Sequence, residues 1–164
     1  MNQNQNIMKK LFFVAAFLLA ALSMKAQFFE GIEAGGGVRY SRQPDKANVG
    51  VDVIATKSVT DWARLRAVAS INGFIPNGFD RAGTAMCGVM AEARAAYAFA
   101  DFGLSLNPSA KAPVIGMAFD GGVGLKVNVA PHLRLFSELG IDRTGHGRQW
   151  KSTASVKAGL LYYN

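Results

Sequence analysis

The chain has 164 residues, a formal charge of +7, one cysteine and two histidines, and half of it is hydrophobic while 18% is charged. This mildly basic balance is no nucleic-acid signature. A lone cysteine, Cys87, excludes an internal disulfide, two isolated histidines make no metal site, and the length suits one core rather than two.

The first element is a leader. Met8, Lys9 and Lys10 precede an apolar run from Leu11 to Leu22, and Ala26 stands before Gln27. These are the n-region, h-region and cleavage region of a signal peptide. The run is 12 residues long, whereas a bilayer-spanning helix needs about 20. Residues 1–26 are therefore read as the signal peptide and 27–164 as the mature domain, with cleavage after Ser23 the alternative. Loss of Lys9, Lys10 and Lys25 takes the charge from +7 to +4, and no cysteine follows the leader to anchor a lipoprotein.

From Phe29 onward the chain breaks into eight alternating segments, and each keeps its charges on one parity. Side chains of a strand alternate between faces, so such sorting means that one face meets an apolar phase. In the first, Ile32, Ala34, Gly36, Val38 and Tyr40 oppose Glu33, Gly35, Gly37 and Arg39. In the second, Val49, Val51, Val53 and Ala55 oppose Gly50, Asp52 and Thr56, with Ile54 an apolar intruder on the polar side. The third sets Ala63, Leu65, Ala67, Ala69 and Ile71 against Arg64, Arg66, Ser70 and Asn72. The fourth sets Cys87, Val89, Ala91, Ala93, Ala95 and Tyr97 against Glu92 and Arg94. The fifth, short, sets Phe102, Leu104 and Leu106 against Asp101, Gly103 and Ser105. In the sixth, Phe119, Gly121, Val123, Leu125, Val127 and Val129 oppose Asp120, Gly122, Gly124, Lys126 and Asn128. The seventh opposes Leu133, Leu135, Leu139 and Ile141 to Arg134, Glu138 and Asp142, and the eighth Ala154, Val156, Ala158, Leu160 and Tyr162 to Ser155, Lys157 and Gly159.

The odd-numbered links, Ser41 to Ala47, Gly73 to Thr84, Asn107 to Val114 and Arg143 to Trp150, read as long and polar. The even-numbered ones, Lys57 to Asp61, Ala98 to Ala100 and Ala130 to His132, read as tight. Aromatic residues fall near strand ends: Phe29, Trp62, Tyr97, Phe99, Phe102 and Tyr162 toward one rim, and Tyr40, Phe74, Phe119 and Trp150 toward the other. Amphipathic rings favour the headgroup level of a bilayer. The last strand carries Lys157, Gly159 and Tyr162, a polar residue followed by Gly and an aromatic, and the chain ends on Asn164 rather than on an aromatic.

These features together resemble the small eight-stranded outer-membrane barrels of Gram-negative bacteria, the OmpX-like and OmpA transmembrane-domain-like family. The resemblance covers roughly Phe29 to Asn164 and implies an all-β, eight-stranded antiparallel up-and-down transmembrane barrel in the cell outer membrane. It further implies contact with outer-membrane lipids and lipopolysaccharide, and an assembly signal at Lys157, Gly159 and Tyr162 read by the barrel-assembly machinery. A soluble secreted β-sandwich or lipocalin-like barrel would alternate too, with its apolar face turned inward.

An eight-stranded barrel has an interior about wide enough for side chains to fill it. The inward set would be Arg39, Arg64, Arg66, Arg94, Lys126, Arg134 and Lys157 against Glu33, Asp52, Glu92, Asp120, Glu138 and Asp142. Buried charges must be paired, so a network closing the lumen is expected, with a narrow ion path as the alternative. A lipid-modifying enzyme would need a Ser and a His in reach of each other. Ser137 has the wrong parity for His132, and His146 sits in a loop, so no catalytic set and no cofactor is expected. Arg42, Lys46, Arg81, Lys111, Arg143, Arg148 and Lys151 would give the extracellular rim a positive bias, suited to lipopolysaccharide phosphates or to an extracellular partner. The role implied is structural, adhesive or envelope-protective.

Overall fold

A computed structural model describes residues 31–43, 46–74, 82–107, 114–146 and 149–164; the expected signal peptide and Phe29 lie outside them. Eight strands form one closed sheet: β1 (Ile32–Gln43), β2 (Lys46–Ser58), β3 (Ala63–Asn72), β4 (Ala82–Ala93), β5 (Ala96–Asn107), β6 (Val114–Ala130), β7 (Leu133–His146) and β8 (Gln149–Tyr163). Each strand pairs antiparallel with its sequence neighbour, and β1 closes onto β8 through registers from Glu33 opposite Tyr163 to Arg42 opposite Ala154. Strands of 10 to 17 residues reach the roughly 9–11 that a tilted transmembrane strand requires.

The two ends differ. At the terminal end, near Gly31 and Tyr163, the links are residues 59–62, 94–95 and 131–132. Thr60 accepts hydrogen bonds from the backbone of Trp62 and Ala63 to set the first of them. The other two are two-residue hairpins in which Arg94 and His132 take positive φ of 59° and 62°, as tight antiparallel turns demand. At the distal end the links are residues 44–45, 73–81, 108–113 and 147–148. The expected long links at Ser41–Ala47 and Arg143–Trp150 are thus mostly strand, because alternation continues through them. Only the second and third distal links are long.

The fourth turn is a second correction. The sequence pattern puts it at Ala98 to Ala100, but the chain reverses at residues 94–95, which flips the parity of the residues just beyond. Tyr97 and Phe99, expected in the rim girdle, instead lie in the lumen, each 5% exposed.

The outer wall is apolar on every strand, with Val38, Val51, Leu65, Val89, Phe102, Val123, Leu139 and Val156 all exposed. The inner wall carries the charges. That arrangement is the reverse of a soluble barrel, whose apolar face fills its core. Inside, Ile54, Val68, Met86, Ala118, Phe136 and Leu161 form one apolar cluster, and Met90, Tyr97 and Phe99 a second. Inward glycines make room for the large rings. Phe136 lies over the cross-strand pair Gly37 and Gly159, where added Cβ atoms would sit 2.9 Å and 2.7 Å from its ring. Tyr97 lies over Gly124, opposite it in register, where an added Cβ would overlap the ring.

Candidate functional site

The strand pairing stacks the inward charges into three levels, the middle and distal ones joined by ion pairs through Asp120, and the terminal one meeting the middle where Lys126 lies 5.5 Å from the centre of the Tyr97 ring. At the terminal end Glu33 is the hub. It accepts from Lys126 at 2.9 Å and Arg64 at 3.1 Å, and also from Arg134. Lys126 is shared with Glu92, and Arg64 donates to the carbonyl of Gly31 at 2.9 Å. Arg134 is tied to Asn128 at 2.8 Å and stacks over the Tyr163 ring at 4.2 Å.

The middle level centres on Glu138, 2% exposed. Arg66 grips it with its two terminal guanidinium nitrogens, Nη1 at 2.5 Å and Nη2 at 2.9 Å, and the Tyr97 hydroxyl donates to it at 2.9 Å. Lys157 reaches it at 3.4 Å while also pairing with Asp120. Arg66 has a second carboxylate, Asp101, at 2.9 Å, and its guanidinium lies 4.2 Å from the Phe99 ring centre. This forked geometry suits Arg and would not be reproduced by Lys.

At the distal level Arg39 joins Asp52 at 2.9 Å, Asp142 at 2.7 Å and Asp120 at 3.5 Å, and donates to Ser70 at 3.1 Å. Register explains why three cations converge here. Asp101, Asp120 and Asp142 lie directly opposite one another across β5, β6 and β7. Like charges so placed repel, and Arg39, Arg66 and Lys157 from β1, β3 and β8 supply the compensation across the lumen.

Of the expected lumen residues, Arg39, Asp52, Arg64, Arg66, Glu92, Lys126, Arg134, Glu138 and Lys157 come together in this network, with Glu33, Asp120 and Asp142. Arg94 does not. It is exposed at the turn after β4, where its positive φ places it outside the alternation. Asp101 belongs to the network although it is absent from the expected set; its parity in the fifth segment points inward. Carrying that parity back two and four residues also reaches Phe99 and Tyr97.

The expected rim residues divide between two surfaces. Arg42 and Arg143 are exposed on the outward parity, Arg143 lying 5.7 Å from the centre of the Trp150 ring, which itself packs against Phe119. Lys46 and Lys151 stand on the inward parity at the mouth of a distal vestibule of about 170 Å³, whose floor includes Arg39 and Asp142. Arg81, Lys111 and Arg148 lie outside the described residues. In the last strand Lys157 and Gly159 face the lumen and Tyr162 faces outward, 47% exposed. His132 is a turn residue whose Nδ1 lies 3.1 Å from the Tyr163 carbonyl. Among the described residues no group of three or more His, Cys, Asp or Glu is arranged to hold a metal ion.

No protein-family model and no curated protein sequence matches the chain. Solved structures do. Ail, the attachment invasion locus protein of Yersinia pestis, is similar with a TM-score of 0.56 at 12% identity, over 82% of this chain and 99% of that one. The Neisserial surface protein NspA gives 0.56 at 13% identity, over 80% of this chain and 94% of that one. The N-terminal barrel of Pseudomonas aeruginosa OprF gives 0.51 at 9% identity, over 81% and 98%. At such identities the likeness is one of fold: this chain has the fold of the small eight-stranded transmembrane barrels.

Proposed function

We propose that the protein is a non-enzymatic barrel of the bacterial outer membrane, exported behind its leader, with a lumen closed by ion pairs and a structural, adhesive or envelope-protective role. The observation that carries this reading is the inverted partition of the wall: charges paired inside, and outside an apolar belt with no charged side chain between its rims. In water such a belt would be a large exposed apolar patch on all sides; in lipid it is the solvated surface. The adhesive variant draws on Ail, an attachment protein by name. The distal end would then face outward, both termini the periplasm, and Arg42 and Arg143 beside Trp150 would meet the phosphates of lipopolysaccharide. Lys157, Gly159 and Tyr162 would serve the assembly machinery.

The test is fractionation combined with unboiled and boiled gels. A heat-modifiable band in the outer-membrane fraction is expected, and a single band from a soluble fraction would remove the reading. In planar bilayers the pure protein should give no unit conductance; reproducible steps would replace the closed lumen with a channel. Lipid A of unchanged mass on expression is expected, and a mass change would establish an enzyme. Charge reversal of Arg42 and Arg143 should weaken lipopolysaccharide retention if the outward rim anchors the barrel.

A further inference from the structure

We propose that the distal vestibule binds an acidic sugar residue, a single pyranose ring bearing a carboxylate or phosphate. The structural role above requires no such ligand, and the inference rests on the vestibule alone. Its volume, about 170 Å³, has room for several water molecules or one sugar ring. Its mouth carries two cations, Lys46 and Lys151, which form no ion pair among the described residues. Arg39 beneath them is already committed to Asp52 and Asp142.

The deeper lining has hydrogen-bonding groups to spare. Asn48 is fully buried; its Oδ1 accepts from the Gly73 amide at 3.0 Å, while Nδ2 has no partner. Asn72 Oδ1, Thr84 Oγ1 and Asp142 Oδ2 are likewise unpartnered. Buried polar atoms without partners are unfavourable, so a ligand that completes them gains affinity and selectivity.

The sense of these atoms selects the ligand class. Asn72 Oδ1 and Asp142 Oδ2 accept only, and need donors. Lys46, Lys151 and Asn48 Nδ2 donate only, and need acceptors. A bare phosphate offers acceptors and would turn its charge toward Asp142. A neutral sugar satisfies the acceptors and can accept from the lysines, but it brings no charge to pair with them. A sugar acid supplies hydroxyls to the lining and an anion to the mouth, and the apolar face of its ring can lie against buried Met86, which also lines the vestibule.

The full protein, extracted from membranes in detergent, is titrated by calorimetry with glucuronic acid, glucose and inorganic phosphate. Saturable millimolar binding of glucuronic acid is expected, at least tenfold tighter than glucose or phosphate. Lys46→Gln, Lys151→Gln and Thr84→Val should each weaken it about tenfold, while Lys57→Gln, exposed on β2 at the opposite end of the barrel, should not. Retained heat-modifiability shows that each variant is folded. Absence of saturable binding by the wild type, phosphate binding as tightly as glucuronic acid, or folded vestibule variants that bind like the wild type would each overturn the proposal. Repeating the titration in nanodiscs with and without lipopolysaccharide identifies the source. Weakened binding in its presence assigns the site to acidic sugars of the leaflet itself, and unchanged binding assigns it to soluble saccharides; both uphold the site.

Discussion

Replacing Glu138 by Leu removes the acceptor on which the middle of the lumen converges. The carboxylate takes two hydrogen bonds from Arg66, one from Tyr97 and a contact from Lys157 at 3.4 Å. Arg66 would keep Asp101 and the Phe99 face, and Lys157 would keep Asp120, so neither cation is stranded completely. The phenol of Tyr97 would lose the only hydrogen-bond acceptor it has among the described residues. Breaking a buried pair by removing one partner typically costs about 3–5 kcal/mol. The surviving contacts place Glu138→Leu near the lower figure, about a hundredfold in the folding equilibrium. Arg66→Met should cost a similar amount, because it leaves Asp101 beside Asp120 with less compensation. The double variant should cost less than the sum by about 1–3 kcal/mol, the range for groups sharing one network. The assay is equilibrium urea unfolding of the refolded barrel in micelles, followed by tryptophan fluorescence and by the unboiled gel band. Additive single costs, or a Glu138→Leu variant within about 1 kcal/mol of wild type, would refute the idea that this carboxylate is the central hub.

The remaining predictions concern the walls. A spin label on Cys87, which is exposed on β4, should collide more with oxygen than with a water-soluble nickel complex in liposomes; the opposite ratio would place that face in water. Val89→Arg, two residues further along the same face, should destabilise the barrel by roughly 2–4 kcal/mol if it lies near mid-bilayer, and Lys57→Arg at the terminal end should be near neutral in the same urea assay. Gly159→Ala should block barrel closure, since its Cβ would overlap the Gly36 carbonyl and sit 2.7 Å from the Phe136 ring. Adding Phe136→Ala should fail to restore folding fully because the carbonyl clash is backbone; complete rescue would mean that the ring alone sets the glycine.

Much of this architecture is legible in the sequence because the two solvents of a membrane barrel write a strict period of two. Valine and leucine mark one parity, arginine and glutamate the other, and the eight strands follow. The pattern breaks where that contrast vanishes. Between Ala91 and Ala100 six of ten residues are alanine, which fits either face, so Arg94 extends the charged parity of Glu92 through a turn that no Gly or Asn announces. The chain reverses there on a positive-φ arginine, and everything up to Phe99 changes sides. Tyr97 and Phe99 mislead for a second reason. An aromatic ring suits a lipid rim as well as a glycine-floored lumen, and only the register that sets Gly124 opposite Tyr97 decides between them. Which acid meets which base is beyond one-dimensional reading, since Arg39 and Asp142 lie 103 residues apart and are joined only by barrel closure.

The network also bears on why a barrel would fill its core with ion pairs when apolar packing is at least as stabilising. Strand pairing by itself tolerates slippage, and a slip of one residue exchanges the two faces. Here such a slip on β3 would turn Arg64 and Arg66 into lipid and bring Leu65 and Ala67 inside. Each arginine at mid-bilayer costs roughly 2–4 kcal/mol, and each abandoned lumen partner adds an uncompensated carboxylate. An apolar lumen would impose no such penalty, because Leu and Val are at home on either wall. The charges therefore discriminate between registers more strongly than they stabilise the correct one, and Arg66 shows the division. Exchanging Arg66 and Glu138 keeps both charges in the lumen but sets a carboxylate beside Asp101 and a cation beside Lys157, so it should destabilise the barrel while leaving its register intact. Moving the arginine one position along, as Leu65→Arg with Arg66→Leu, should abolish assembly although composition is unchanged. A heat-modifiable barrel from that shifted pair would show that register is held by the turns and not by the lumen.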